Sequence, residues 1–284
     1  MTGPSATASH EPARGPLLLL DGTRPRPLAW LREVAAFGPV LVALARKEFK
    51  TRYKGAALGV VWSVAIPLLQ AAVLAFVFSR VVRVGVDVDS YGAYVLSGML
   101  GWSYFATTLL PATTSIVDGA SLTDKVWFPR ILLVLTGPLA NLVGLGVTHV
   151  MLIALLPILG VDLGLRLLIL PLAVLLLIAF TISLSAVLAA MHVYFRDTRY
   201  LVQAVLMVWI YLTPIIYQAE LLGRWAGWLD ANPMTGIVTL SRLATVGASD
   251  WQRPVAVSVV ATVALTVLAV EVHRRHDRRF VDLL

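Results

Sequence analysis

Five cations crowd into nine residues near the start of this chain: Arg46, Lys47, Lys50, Arg52 and Lys54. Clustered ammonium and guanidinium groups attract anionic headgroups, most strongly at a low-dielectric boundary. The phosphates of ATP need something else. A nucleotide-binding glycine loop requires a Gly-Lys step, so that backbone N–H groups and an ammonium together cradle the phosphates. The four lysines, Lys47, Lys50, Lys54 and Lys125, follow Arg46, Phe49, Tyr53 and Asp124, so that loop is absent. No cofactor is expected in this chain; any ATP and Mg2+ that power it belong to a partner polypeptide.

Other reactive constellations are missing too. There is no His-Glu-x-x-His, no Gly-x-Ser-x-Gly and no pair of carboxylates in mid-segment, so an intramembrane enzyme lacks its groups. Zero cysteines exclude disulfides and thiolate metal sites. His149 is the one ionisable residue deep in an apolar stretch, and beside Thr148 it reads as a helix–helix hydrogen bonder before a proton relay. With no charged chain and no inverted repeat, a secondary transporter is disfavoured.

The elements that must position these residues are membrane helices. The chain is 58% hydrophobic and only 14% charged, with a mean hydropathy of +0.83, where a soluble domain is about a quarter charged. About 20 helical residues cross a bilayer core. Six segments qualify, at about 57–79, 93–117, 131–159, 167–191, 198–217 and 254–272. Residues 1–28, rich in Pro, Gly and Arg, read as a disordered cytoplasmic tail, and 273–284 read as a cytoplasmic tail. With the N-terminus inside, 17 of the 23 basic residues are cytoplasmic, which fixes an N-in, C-in orientation.

Two further segments are amphipathic. In 29–56, Val42, Ala45, Phe49, Tyr53 and Ala56 recur at helical spacing away from the cations, which predicts a helix lying in the interface. In the 218–253 insert, Leu221, Leu222, Trp225, Trp228 and Leu229 form one face that Asn232-Pro233 breaks, and Met234, Ile237 and Val238 begin another. Neither run is long enough to span. The fold class is therefore all-α integral membrane: six transmembrane helices, an interfacial N-terminal helix and a periplasmic re-entrant helical pair before the last span.

Four blocks narrow the reading. Arg52-Tyr53-Lys54-Gly55 with Leu58-Gly59, Trp62 and Pro67 opens the first span, and Gly98 with Gly101-Trp102-Ser103-Tyr104-Phe105 lies in the second. Lys125-Val126-Trp127-Phe128-Pro129-Arg130 occupies the second cytoplasmic loop. Tyr194-Phe195-Arg196-Asp197, Leu212-Thr213-Pro214-Ile215-Ile216-Tyr217 and Asn232-Pro233-Met234 mark the last third. In this order and spacing they closely resemble the ABC-2 type permeases that export polysaccharides, the membrane subunits of O-antigen, teichoic acid and mycobacterial galactan exporters. Ala56, Val60 and Leu133 depart from residues usual in that family.

The resemblance implies a permease homodimer in the bacterial inner membrane, two copies of a separate ABC ATPase, and a polyprenyl-diphosphate-linked polysaccharide as cargo. Nucleic acid is not an expected partner, despite the net charge of +7. Arg46, Lys47, Lys50, Arg52 and Lys54 then become candidates to draw in the lipid diphosphate, with Arg52 able to fork two hydrogen bonds to it. Ser121, Asp124, Lys125, Phe128, Pro129 and Arg130 are candidates to couple to the ATPase. A sliding sugar chain favours aromatic faces and small hydroxyls, which makes Trp62, Trp102, Tyr104, Phe105, Trp209, Tyr211 and Tyr217 channel candidates, with Thr107, Thr108, Thr113, Thr114 and Ser115 beside them. Trp225, Trp228, Asn232 and Pro233 are the expected external gate. Drug or small-lipid export by the same architecture is the alternative.

Overall fold

The computed structural model describes residues 26–55, 59, 61–78, 90–123 and 127–277, and no strand occurs among them. The expected tail over 1–28, Ala56 to Leu58 and the loop charges Arg80, Arg83, Asp87 and Asp89 fall largely or wholly outside the described residues, as do Asp124 and Lys125.

Helix α1 (Pro27–Ala36) meets α2 (Gly38–Tyr53) at Phe37 with a bend of 56°. Then come α3 (Val61–Phe76), α4 (Tyr91–Asp118), the single turn α5 (Ala120–Thr123) and α6 (Ile131–Leu155). A 3-10 turn, Leu165–Ile169, leads into α7 (Leu170–Tyr194), followed by α8 (Thr198–Leu212). A second 3-10 stretch, Ala219–Trp225, precedes α9 (Ala226–Leu229), α10 (Pro233–Thr245) and α11 (Gln252–His276).

Local chemistry explains several of these boundaries. Proline sits in the first turn of α1, α2, α7 and α10, where its missing N–H costs nothing. Ser90 and Asn232 cap α4 and α10 through their side-chain oxygens. Between α2 and α3 the chain turns through Gly55 and Gly59, with φ of +80° and +48°, which only glycine adopts without strain.

Helix α4 is the hub, packed on α3, α6, α7, α8 and α10. A second core at the opposite end gathers Trp30, Phe128, Ile131, Leu132, Ala189, Val193 and Ala269. Helices α10 and α11 cross so closely that a Cβ on Gly236 would stand 2.0 Å from the Pro254 carbonyl oxygen.

Among the described residues, three helices, Ile131–Leu155, Leu165–Tyr194 and Gln252–His276, are long and apolar enough to cross a membrane, and the bent pair α1–α2 makes a fourth if it is one span. Exposed Val143, Val147 and Val150 on α6, Leu172 and Leu175 on α7, and Val260, Val263 and Val267 on α11 give the bundle an apolar exterior suited to lipid.

Three expectations need correction. The interfacial helix is not a free amphipathic surface: Trp30 of α1 is buried, and α2 packs along α6 with Leu41, Leu44, Ala45, Phe49 and Tyr53 half-buried while Val42 stays exposed. The face read through 221–229 is not one helix. Gly223, at φ 52° and ψ −120°, breaks it, so that Trp225 and Trp228 are exposed while Leu229 is buried. The segment read as 198–217 is helical only to Leu212, and irregular backbone follows.

Candidate functional site

Candidate groups gather beside the middle of α4 and α6 and at the two ends of the bundle. In the middle, α2, α3, α4 and α6 border a cleft of about 250 Å³ whose lining includes Arg52, Trp62, Ser103, Tyr104, Thr107 and Asn141. The Arg52 guanidinium donates to the Asn141 amide oxygen and pairs with Glu48 on its own helix at 3.3 Å. The Asn141 amide in turn donates to Thr108 Oγ1 at 2.8 Å. Asn141 lies ten residues into α6, about 15 Å along the axis. Arg52 is thus the cation of the cluster that reaches Asn141, although like Arg46, Lys47, Lys50 and Lys54 it is exposed.

The hydroxyls expected to line a path are mostly turned back on their own helix. Thr107 donates to the Ser103 carbonyl at 2.6 Å, Thr113 to Leu109 at 2.8 Å and Ser115 to Ala112 at 2.8 Å, so each satisfies itself without a ligand. His149 does the same, with Nδ1 2.9 Å from the Leu145 oxygen. It bonds within α6, not between helices.

The aromatic candidates divide. Trp62 and Tyr211 are exposed, whereas Trp102, Tyr104 and Phe105 are buried. Phe105 is the centre of a ring cluster, 5.5 Å from Trp102, 5.8 Å from Phe180 and 5.2 Å edge-on from Trp209. Trp102, Phe105 and Trp209, with Phe180, thus lock α4, α7 and α8 together. Tyr104, from the same block, reaches the Pro138 carbonyl at 3.3 Å and borders the cleft that Arg52 lines.

In the loop before α6 the described residues divide between exposed and buried. Phe128 and Arg130 are each 3% exposed and Pro129 is buried; Ser121 and Trp127 are exposed. Arg130 is tied to the end of α11: its backbone N–H donates to an Asp277 carboxylate oxygen at 2.9 Å, and its Nη1 to the Asp277 carbonyl at 2.9 Å. Trp127 meets Phe37 edge-on at 5.7 Å. The Phe-Pro-Arg step therefore anchors this loop.

At the other end, Asn232 fastens the last third of the chain. Its amide oxygen accepts from Met234 N–H at 3.0 Å and from Trp209 Nε1 at 2.8 Å, and its Nδ2 donates to the Leu212 carbonyl at 3.1 Å. The stretch just beyond Pro214 is held by three consecutive carbonyls. Ile215 accepts from Arg242 at 2.7 Å, Ile216 from Tyr91 at 2.6 Å and Tyr217 from Tyr94 at 2.9 Å. The Arg242 guanidinium also lies 3.5 Å from the centroid of the Tyr94 ring. Burial brings that guanidinium down to about 10, against the opposing pull of Tyr94 and Glu220, so it remains a cation at neutral pH. Tyr91, Tyr94 and Arg242 are the residues sequence reasoning missed. A lone arginine between Leu240 and Leu243 in an apolar run was their visible signal.

Residues 39–244 match the family model described as ABC-2 type transporter. A Klebsiella pneumoniae protein described as O-antigen export system permease protein RfbA is 26% identical over 251 residues, covering 86% of this chain and 95% of the relative. A Myxococcus xanthus protein of the same description is 29% identical over 216 residues, covering 74% and 81%.

Proposed function

Because the chain belongs to the ABC-2 type transporter family, we propose that it is the permease subunit of an exporter that carries a lipid-linked polysaccharide outward across the bacterial inner membrane. The relatives described as O-antigen export permeases support a glycan cargo of that kind. Two permease copies would form the conduit, and two copies of a separate ABC ATPase would bind ATP and Mg2+ at the cytoplasmic face. Six crossings, with both termini inside, are part of the proposal. In it α3 and α8, of 16 and 15 residues, take the first and fifth crossings and α4 the second.

The observation that carries the reading is Arg52 lining the cleft between α2, α3, α4 and α6, held toward Asn141 and bordered by Trp62 and Tyr104. A polyprenyl diphosphate offers an anion followed by an apolar tail. Arg52 and the exposed cations of α2 suit the anion, and lipid beside α3 suits the tail. The chain supplies recognition and passage; phosphate-bond energy comes from the partner.

Reconstitution with and without the cognate ATPase tests this. Glycan transfer into vesicles is expected only with ATPase and ATP together. Transport by the permease alone, or chemical conversion of the lipid, would remove the reading. Arg52→Ala is expected to cut export at least tenfold at unchanged membrane insertion, and unaltered flux would take Arg52 out of this role.

A further inference from the structure

Arg52 does not meet the cleft as a free cation. Its Nη2 donates to Glu48 Oε1 at 3.3 Å, one turn earlier on α2, and the two side chains are 28% and 43% exposed. Its Nη1 donates to the Asn141 amide oxygen. That amide is oriented by a second bond, from its Nδ2 to Oγ1 of Thr108, which is buried on α4. Thr108 differs in this from Thr107, Thr113, Thr114 and Ser115, whose hydroxyls return to carbonyls of their own helix. One edge of the guanidinium is thus fixed by neutral groups of α4 and α6, and the other is taken by a carboxylate. Glu48 is also the single acidic residue among the five cations of 46–54, where it weakens a general attraction for anions.

We propose that Glu48 makes the cleft selective by charge: it holds Arg52 against singly charged lipid phosphates and yields it to a diphosphate. The inference rests on the reading of Arg52 as an entry-site cation and adds the residue that sets which anion it accepts. Trp62 and Ile66 of α3 line the cleft and are exposed, so the cleft is open to the lipid beside α3. Bilayer phospholipids therefore compete for Arg52 in large excess over any one cargo lipid. An anionic phospholipid brings one charge on a phosphodiester. Exchanging Glu48 for it trades one monoanion for another and gains little. A diphosphate brings more charge and more acceptor oxygens to the same guanidinium, while the cost of moving Glu48 is unchanged. Asn141 holds Nη1 in place, which confines the contest to the edge that Glu48 occupies.

Binding of radiolabelled farnesyl diphosphate to the purified permease in nanodiscs tests this without transport. The discs are phosphatidylcholine with or without phosphatidylglycerol. Phosphatidylglycerol repels the probe from any disc through its surface charge, and Glu33→Gln, which removes a carboxylate from α1, reports that background. In Glu48→Gln the same lipid is expected to displace the probe roughly two- to fivefold more than in wild type or Glu33→Gln, the range that an exposed ion pair supports. In phosphatidylcholine alone Glu48→Gln is expected to bind the probe at least as tightly as wild type, which loss of a merely structural ion pair would not give. Combined with Arg52→Ala, the Glu48→Gln effect is expected to vanish. Equal displacement in all three proteins, weaker binding by Glu48→Gln, or an effect that survives Arg52→Ala would each overturn the proposal. So would probe binding that Arg52→Ala leaves unchanged, or no binding at all. Equal displacement with ATP-driven export intact would remove this role and leave the export reading standing. The expected selectivity without ATP-driven export would do the reverse.

Discussion

A single guanidinium carries much of the order at the end of the bundle that Asn232 fastens. Arg242 is buried, faces the Tyr94 ring and donates to the Ile215 carbonyl, so truncating it leaves that acceptor and the tyrosine without their cation. Arg242→Met is expected to destabilise the purified protein by about 2–4 kcal/mol. Tyr94→Phe, which loses the hydroxyl's bond to the Tyr217 carbonyl but keeps the ring against the guanidinium, should cost about 1 kcal/mol. Thermal unfolding in detergent orders the two, and equal stabilities would mean that the buried cation does not organise the 215–217 backbone. The sequence showed an arginine in an apolar run but not its partners. Those lie 27 and 148 positions away, and no local pattern records such a separation.

Among the elements, the two close helix junctions answer to different substitutions. Gly236→Val forces α10 off α11 at the Pro254 carbonyl, and overpacking of this kind costs roughly 1–3 kcal/mol. A lower unfolding temperature with loss of export is the expected outcome. Arg130→Ala removes the Nη1 bond to the Asp277 carbonyl while keeping the backbone N–H bond to the Asp277 carboxylate, and is expected to lower glycan flux more than ATPase binding. Normal flux at normal complex assembly would make that tie purely structural. Long apolar periods made α6, α7 and α11 legible to within a few residues. The insert was not legible in the same way: Met234, Ile237 and Val238 did mark α10, but the Gly223 backbone breaks the helical face that Leu221 through Leu229 suggest. Likewise Trp102 and Phe105 showed their type but not their direction, and helix packing turns them into the core.

For the whole molecule, the outer walls are lipid-suited while the hub is not. Helix α4 is long, at 28 residues, and heavily buried, yet it is absent from the three helices apolar enough to cross unaided. Glycines, aromatics and self-bonded hydroxyls lower its hydropathy where neighbouring helices replace lipid. During biosynthesis that helix emerges from the ribosome before α6 and α7 exist to shelter it. Its insertion should accordingly be postponed until those later segments arrive. A nascent chain halted at residue 123 is expected to leave α4 accessible to alkali extraction or glycosylation tags, and one extended through Tyr194 to secure it. Such a hub belongs to the assembled permease and not to any stretch that enters the bilayer on its own.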